Sequence, residues 1–554
     1  MWRALVALLI ISAAWPQDRS QARSMVISDR GIVATSQTLA SQAGAQILAR
    51  GGSAMDAAIA ANAVLGVVEP ESCGIGGDLF AIEWDAKTGK LAAINASGWA
   101  PKGLTIDALT RLGHKTMPQE GMLSVTVPGA VEGWYRLHKR FGRLPWKDLF
   151  QPAIYYAEHG YPVTELIAAA WKIEEPKLAR DANARKVFLP APASGEIFRN
   201  PQLAAALRAI AQDGAPAFYR GAIAKAILRT SDRTGGFLSA ADLAEFEAEW
   251  VEPISTDYRG WKVYELPPNG QGIAAIEMLN LFSMFPLASY DPRGLAELHT
   301  QMEAQKLAFA DLRRYVADPR FAKPPVAGLI SMDYARERAR LIDPDHAHCD
   351  VQPGRPPAIG GDTIYLAAVD AEGNIASLIQ SNYLNFGSAV VVDDYGFPLQ
   401  NRGGLFDLDP SHPNALAPRK RPFHTIIPAF MEKGDLHIGF GIMGGLNQAQ
   451  AHAQFVSNVV DHGMNIQLAL EAPRFTKTTW GGCDFLIENR IPADIRNALT
   501  ARGHDLKVLG DFANLMGGGQ AVLHDSSKKV NYGASDPRKD GAAVPEPPPY
   551  FGHP

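Results

Sequence analysis

The sequence predicts an α+β fold built of stacked layers, and three observations predict it. The run at residues 363–369 is strongly apolar and reads as a central, buried strand, followed after a turn by a second β-like run at 375–381. An alanine-rich helical face spans residues 54–68, the composition of a helix packed closely in the interior. Strands and helices interleave along the chain without a clean βαβ rhythm, which favours stacked layers over a doubly wound parallel sheet. The 554 residues are 47% hydrophobic and 20% charged, enough apolar surface for a large core.

The N-terminus, MWRALVALLIISAAWPQD, has one early cation, Arg3, and then an apolar block over residues 4–15. The block is too short to span a bilayer. It fits the apolar region of a secretory signal over residues 1–24, with Ser12 and Ala14 as small residues near a cleavage site; an ordinary apolar N-terminal helix is the alternative. A signal implies a protein exported from the cytoplasm, periplasmic in a Gram-negative cell or secreted. No later segment is long and apolar enough for a membrane helix.

A short strand and two helices follow. Ala40, Ala43, Ile47 and Leu48 keep helical spacing until Gly51 and Gly52 stop the first helix. Ser53 caps the next, with Asp56 three residues on as its acidic partner. GIGGDLFAIEWDAKTGKLAAINASGWAP reads as two strands joined at Lys87, Thr88 and Gly89. Helical segments dominate to about residue 230, and Trp134, Trp146 and Trp171 read as packing residues. A sheet element lies at 258–268 and a long amphipathic helix at LAELHTQMEAQKLAFADLRRYVADP, on which Glu303 and Lys306 read as a surface pair. Residues 343–359 lack periodicity and read as an exposed loop. Beyond the strand runs come the strand pair RPFHTIIPAF and LHIGFGI, a helix at NQAQAHAQFVSNVVDHG, and a proline-rich, loosely ordered tail, AAVPEPPPYFGHP.

The net charge is -5 and the basic residues are dispersed, so no nucleic-acid footprint is present. Three cysteines, Cys73, Cys349 and Cys483, leave room for one bridge but fit no disulfide framework and no zinc motif. DPDHAHCD gathers metal-ligand residue types, but its spacing matches no standard site, and it reads as a solvated loop.

AIGGDTIYLAAVD places a threonine at the head of the buried strand. A hydroxyl is a weak nucleophile without a base beside it, and an N-terminal threonine carries one, its own α-amine. Attack of the Thr363 hydroxyl on the Asp362 carbonyl, an N-to-O acyl shift and hydrolysis would create that terminus. On this stretch alone a plain turn into a strand is the favoured reading, since threonine is a favoured strand residue.

Several ordered blocks decide between these readings. GGSAMDAAIAANAVLGVVEPESCGIGGDLF, VPGAVEGWYRLHKRFGRLPWKDLFQPAI, LHTQMEAQKLAFADLRRYVADP, DTIYLAAVDAEGNIASLIQS, FGSAVVVDDYGFPLQNRGG, GIMGGLNQAQ and NYGASDPRKDGA together resemble the γ-glutamyltranspeptidases, also called glutathione hydrolases, of the N-terminal-nucleophile hydrolases. The resemblance covers nearly the whole mature chain. It implies a four-layer αββα sandwich, one structural unit made from a precursor that cuts itself between Asp362 and Thr363 into a large subunit, 25–362, and a small subunit, 363–554. It implies Thr363 as nucleophile, Ser381 as a supporting hydroxyl, and Gly444 and Gly445 as the oxyanion hole, where backbone N–H groups meet developing charge. No cofactor or metal is implied. The partners are a γ-glutamyl or other acyl amide as donor and water or an amine as acceptor.

The substrate positions depart from the family pattern. Ser97 stands where an arginine grips the glutamyl carboxylate, and a serine cannot replace a bidentate guanidinium. His424 and Thr425 stand where paired serines are common. In QNRGGLF, Asn401 is kept, Arg402 replaces an uncharged amide, and Leu405 replaces the acid that receives the substrate ammonium. Ile364 replaces a second threonine, Tyr383 a smaller polar residue, and residues 406–418 are too short for a long lid. These changes resemble the branch near the cephalosporin acylases. The expected activity is γ-glutamyl transfer and hydrolysis. The alternatives are a glutaryl- or cephalosporin-type amide acylase, in which Arg402 reads a carboxylate, and an unprocessed binding protein; Arg402 as a surface residue after a turn is the competing reading of that position.

Overall fold

The computed structural model describes residues 21–356 and 366–550. The expected signal lies almost wholly outside them, as do Asp362 and Thr363. Two seven-stranded antiparallel sheets form the centre. The first runs Val26–Ser28, Val530–Ser535, Gly519–Asp525, Leu436–Ile442, Ala429–Lys433, Trp261–Glu265 and Ile254–Tyr258 in spatial order. The second runs Ala542–Pro545, Ile32–Thr35, Leu366–Val369, Ile375–Ser381, Asp78–Asp85, Lys90–Ala96 and Glu249–Val251. Segments from both sides of residue 363 contribute strands to each sheet, so neither half completes a sheet alone.

The apolar strands follow from burial on both faces. Ala367 and Val369 point into the layer between the sheets with Phe80, Ile379 and Phe430. Their neighbours Leu366 and Ala368 point outward, under the helices Thr38–Ala49 and Ala54–Val68. The first sheet is backed by the helices Gly272–Phe282, Leu295–Tyr315 and Asn447–Val460, against Val263, Met431, Ile438 and Phe440. The order is helix, sheet, sheet, helix: an αββα sandwich, as the family resemblance implies.

Local rules hold where the signal is local. The Ser53 side chain accepts from Asp56 N and Asp56 Oδ2 from Ser53 N, both at 3.1 Å, closing the expected capping box. The strands Asp78–Asp85 and Lys90–Ala96 meet at the expected turn. Trp134 and Trp171 are fully buried, donating to Asn62 Oδ1 and Phe188 O.

Four expectations change. The helix Leu295–Tyr315 is buried nearly all round rather than amphipathic, and its Glu303–Lys306 pair is an interior ion pair at 2.6 Å with both side chains 2% exposed. Of RPFHTIIPAF only the end is strand, because the segment before Ala429 turns its polar groups to the site described below. The proline-rich tail begins as an edge strand, with Ala542–Pro545 pairing with Ile32–Thr35 where a proline costs no ladder bond. The loop after residue 343 is exposed but fastened, for Cys349 is disulfide-bonded to Cys483. Among the described residues no helix is long and apolar enough to cross a membrane.

Candidate active site

The site is built at the ends of the two central strands of the second sheet. In their antiparallel register Ser381 lies opposite Asp78, at the end of Ile375–Ser381 and the start of Asp78–Asp85. Gly77 is required there, since a Cβ on it would lie 2.5 Å from the Ser381 carbonyl oxygen. Ser381 Oγ accepts from Tyr383 N at 2.8 Å, which holds Tyr383 in a left-handed conformation with φ of 76°. The Ser381 hydroxyl therefore keeps its own O–H to give.

Tyr383 faces Arg402, whose guanidinium lies 4.7 Å from the ring centroid. Asn401, the residue before, accepts from Leu384 N at 3.1 Å and donates to Gln119 O at 2.7 Å, pinning the turn that carries the arginine. Arg402 is not a surface residue: its side chain is 0% exposed. Its Nη1 donates to Thr425 Oγ1 at 2.7 Å, and its Nε lies 3.8 Å from Asp78 Oδ2.

Asp78 joins the arginine to His424, whose Nε2 lies 2.9 Å from Asp78 Oδ2. The other carboxylate oxygen accepts from Gly98 N at 3.1 Å. Burial pushes the Asp78 carboxyl up to about 7, against the pull of Arg402 and the Gly98 N–H. Burial, reinforced by the cations Arg402 and Arg421, holds His424 well below the usual histidine range, so it is neutral and its Nε2–H donates when Asp78 is ionised. One buried cation, one titrating acid and one neutral imidazole thus share a dry site.

Ser97 joins the same cluster from the side. Its hydroxyl donates to Asn95 Oδ1 at 2.7 Å and accepts from Asn269 Nδ2 at 3.2 Å, and the Asn269 carbonyl accepts from His424 N. Arg421 donates from Nε to the Ser97 carbonyl at 2.8 Å and is ion-paired to Glu249 at 2.6 Å. A guanidinium is therefore present at this wall, but it is committed to its own carboxylate.

Gly444 and Gly445 lie just ahead of the helix Asn447–Val460. Both have positive φ, 125° and 61°, the conformation that glycine adopts without a Cβ penalty. Among the described residues neither N–H donates a hydrogen bond within the backbone. The helix N-terminus adds positive partial charge at this point. Gln271 ties this loop to the rest, donating to Gly445 O at 2.7 Å and to Thr425 O.

The structure thus gathers Ser381, Tyr383, Asn401, Arg402, His424, Thr425, Ser97, Gly444 and Gly445 into one linked network. Sequence reasoning missed Asp78 and Gln271. A lone acid opening an apolar strand was the available signal for Asp78; nothing local distinguishes Gln271.

Comparisons with known proteins agree with this architecture. The family profile described as gamma-glutamyltranspeptidase matches residues 40–546. The chain is 37% identical to the glutathione hydrolase-like YwrD proenzyme of Bacillus subtilis (strain 168), over 94% of this chain and 99% of that protein. It is 35% identical to the oxamate amidohydrolase proenzyme of Klebsiella pneumoniae, over 94% and 99%. Its fold superimposes on the crystal structure of cephalosporin acylase from Bacillus halodurans with a TM-score of 0.89 and 43% identity, covering 98% of this chain and 99% of that one. With the αββα sandwich and the glycine pair at the head of its helix, these matches place the chain in the gamma-glutamyltranspeptidase family of N-terminal-nucleophile hydrolases.

Proposed function

We propose that this chain is a self-processing amidohydrolase whose acyl donors carry a carboxylate, glutaryl-like in character, and that it works through an acyl-threonine intermediate. Cleavage between Asp362 and Thr363 frees the nucleophile. Position 363 lies outside the described residues; support for it comes from the sequence blocks.

The Thr363 hydroxyl attacks the amide carbonyl while its α-amine takes the proton. Gly444 and Gly445 N–H groups stabilise the oxyanion, and Ser381 donates to the nucleophile. The amine then passes the proton to the leaving nitrogen, and water, activated by the same amine, hydrolyses the ester. Transfer to an amine acceptor uses the same intermediate.

The observation that carries the donor assignment is Arg402, a buried guanidinium held by Thr425 and Tyr383 in a site where Leu405 stands in place of an ammonium acceptor. A buried cation strongly favours a carboxylate, and no acid at 405 rewards a substrate ammonium. A second reading, γ-glutamyltransferase or glutathione hydrolase, is favoured by the match to a glutathione hydrolase-like proenzyme. Comparing kcat/KM on glutaryl and γ-glutamyl anilides tests the assignment: the glutaryl anilide is the better substrate, and the reverse order selects the second reading. Denaturing electrophoresis tests processing, with two fragments from the wild type and one from Thr363→Ala. A wild type that stays intact indicates a non-catalytic binding protein. The apolar N-terminus and the disulfide both support export to an oxidising compartment.

A further inference from the structure

We infer that the Cys349–Cys483 disulfide is a covalent bond between the two chains that self-processing produces, so that the mature protein is a cross-linked heterodimer. The inference rests on the proposed cut before Thr363, which leaves Cys349 on the first chain and Cys483 on the second. The two cysteines are 134 residues apart in sequence. The third, Cys73, is a free buried thiol and takes no part.

The bond sits in a seam stitched from both sides. From the first chain, Lys306 Nζ on the helix Leu295–Tyr315 donates to His348 O at 2.8 Å and approaches Cys483 Sγ at 3.4 Å. Glu303 on the same helix accepts from His348 N at 3.1 Å. From the second chain, Arg502 O accepts from Ala347 N at 2.6 Å, and Cys483 O accepts from Asp505 N at 2.9 Å. His299 meets His504 across the seam at 2.9 Å and Asp343 O at 2.7 Å. His299, Glu303 and His504 bring metal-ligand atom types within 4.8 Å of one another, but the Lys306 ammonium supplies the cation there, 2.6 Å from Glu303. The loop before the cut is therefore positioned by partners on both future chains, and the disulfide fixes that arrangement.

The consequence is mechanical. Cutting gives the first chain a new C-terminus, and chain ends fray unless tied down. Cys349 ties that end to the second chain just ahead of the cut. The cross-link also keeps the two chains together when unfolded, so reassembly is unimolecular rather than dependent on protein concentration.

The test is denaturing electrophoresis of full-length protein with and without reductant, for wild type, Cys349→Ser and Thr363→Ala, together with peptide mapping of alkylated, unreduced wild type. The expected wild type shows one band unreduced and two bands reduced. Cys349→Ser shows two in both lanes, and Thr363→Ala one in both. In the peptide map Cys349 and Cys483 occur in one cross-linked peptide while Cys73 is alkylated, a result that does not depend on any variant folding. Two wild-type bands without reductant, or alkylation of all three cysteines, overturn the inference. One wild-type band after reduction overturns the self-cleavage reading and with it the inter-chain character; a cross-linked peptide from that sample shows that the bond itself stands.

Discussion

Arg402 and Asp78 lie 324 positions apart in sequence, yet the Arg402 Nε is 3.8 Å from Asp78 Oδ2 and both side chains are fully buried. On the proposed carboxylate reading, Arg402 is shared between Asp78 and the substrate carboxylate, and the state of the acid controls how much of the cation the substrate receives.

Arg402→Gln therefore raises KM for carboxylate-bearing donors while leaving kcat on an uncharged acyl anilide nearly unchanged. Losing a charge-assisted contact of about 1.5–3 kcal/mol corresponds to roughly a 10- to 100-fold rise in KM. Arg402→Lys recovers only part, because the ammonium cannot bond Thr425 and a carboxylate in one plane. Steady-state kinetics on the glutaryl and uncharged pair decide it; an unchanged KM for the acidic donor removes Arg402 from recognition.

The Asp78 carboxyl, pushed up to about 7 by burial, gives recognition a pH dependence. Below that value Asp78 is neutral and does not compete with the donor carboxylate for Arg402; above it the carboxylate competes. KM for acidic donors thus rises as pH rises through about 7, and Asp78→Asn flattens that rise. The stability sign agrees: a carboxyl raised in the fold favours the protonated form, so its contribution is greatest below the ordinary carboxylate range and is lost as pH climbs through the folded value. Measuring KM and the unfolding midpoint on both sides of neutrality checks the two readouts separately.

Ser381 accepts the Tyr383 N–H and keeps a proton to donate. Ser381→Ala lowers kcat about 10- to 100-fold, the cost of one hydrogen bond to a charged centre, and slows processing of the precursor. Ser381→Thr retains the hydroxyl and most of the rate. Equal kcat for Ser381→Ala and wild type would show that the hydroxyl serves only the turn at Tyr383.

What the sequence made legible was local or carried by long ordered blocks. The Ser53–Asp56 capping box and the turn at Gly89 are decided within a few residues, and both form. The glycine pair and the αββα layers came with the blocks. Burial of polar groups was not legible. Helical periodicity locates a buried face only when polar residues mark the wet one, and on Leu295–Tyr315 His299, Glu303 and Lys306 face partners instead. The edge strand Ala542–Pro545 was hidden by proline composition, because its partner Ile32–Thr35 lies some five hundred residues earlier. Asp78 escaped notice for the same reason: its meaning comes from His424 and Arg402, which only the fold brings to it.

The buried Glu303–Lys306 pair makes the last prediction. Burial lowers the Lys306 ammonium below its ordinary range, and the Glu303 charge opposes that shift. Both side chains are 2% exposed, so removing one partner strands a charge away from water. Lys306→Met leaves the buried Glu303 without its ammonium partner and costs about 3–5 kcal/mol, whereas Glu303→Gln with Lys306→Met removes both charges and costs less than the first change alone. The sequence expectation of a surface pair gives about 0–1 kcal/mol for either change and almost no coupling. Urea unfolding of the two single variants and the double variant separates these outcomes. The disulfide beside Lys306 must be kept oxidised in all of them, since its loss would shift the unfolded reference state as well as the fold.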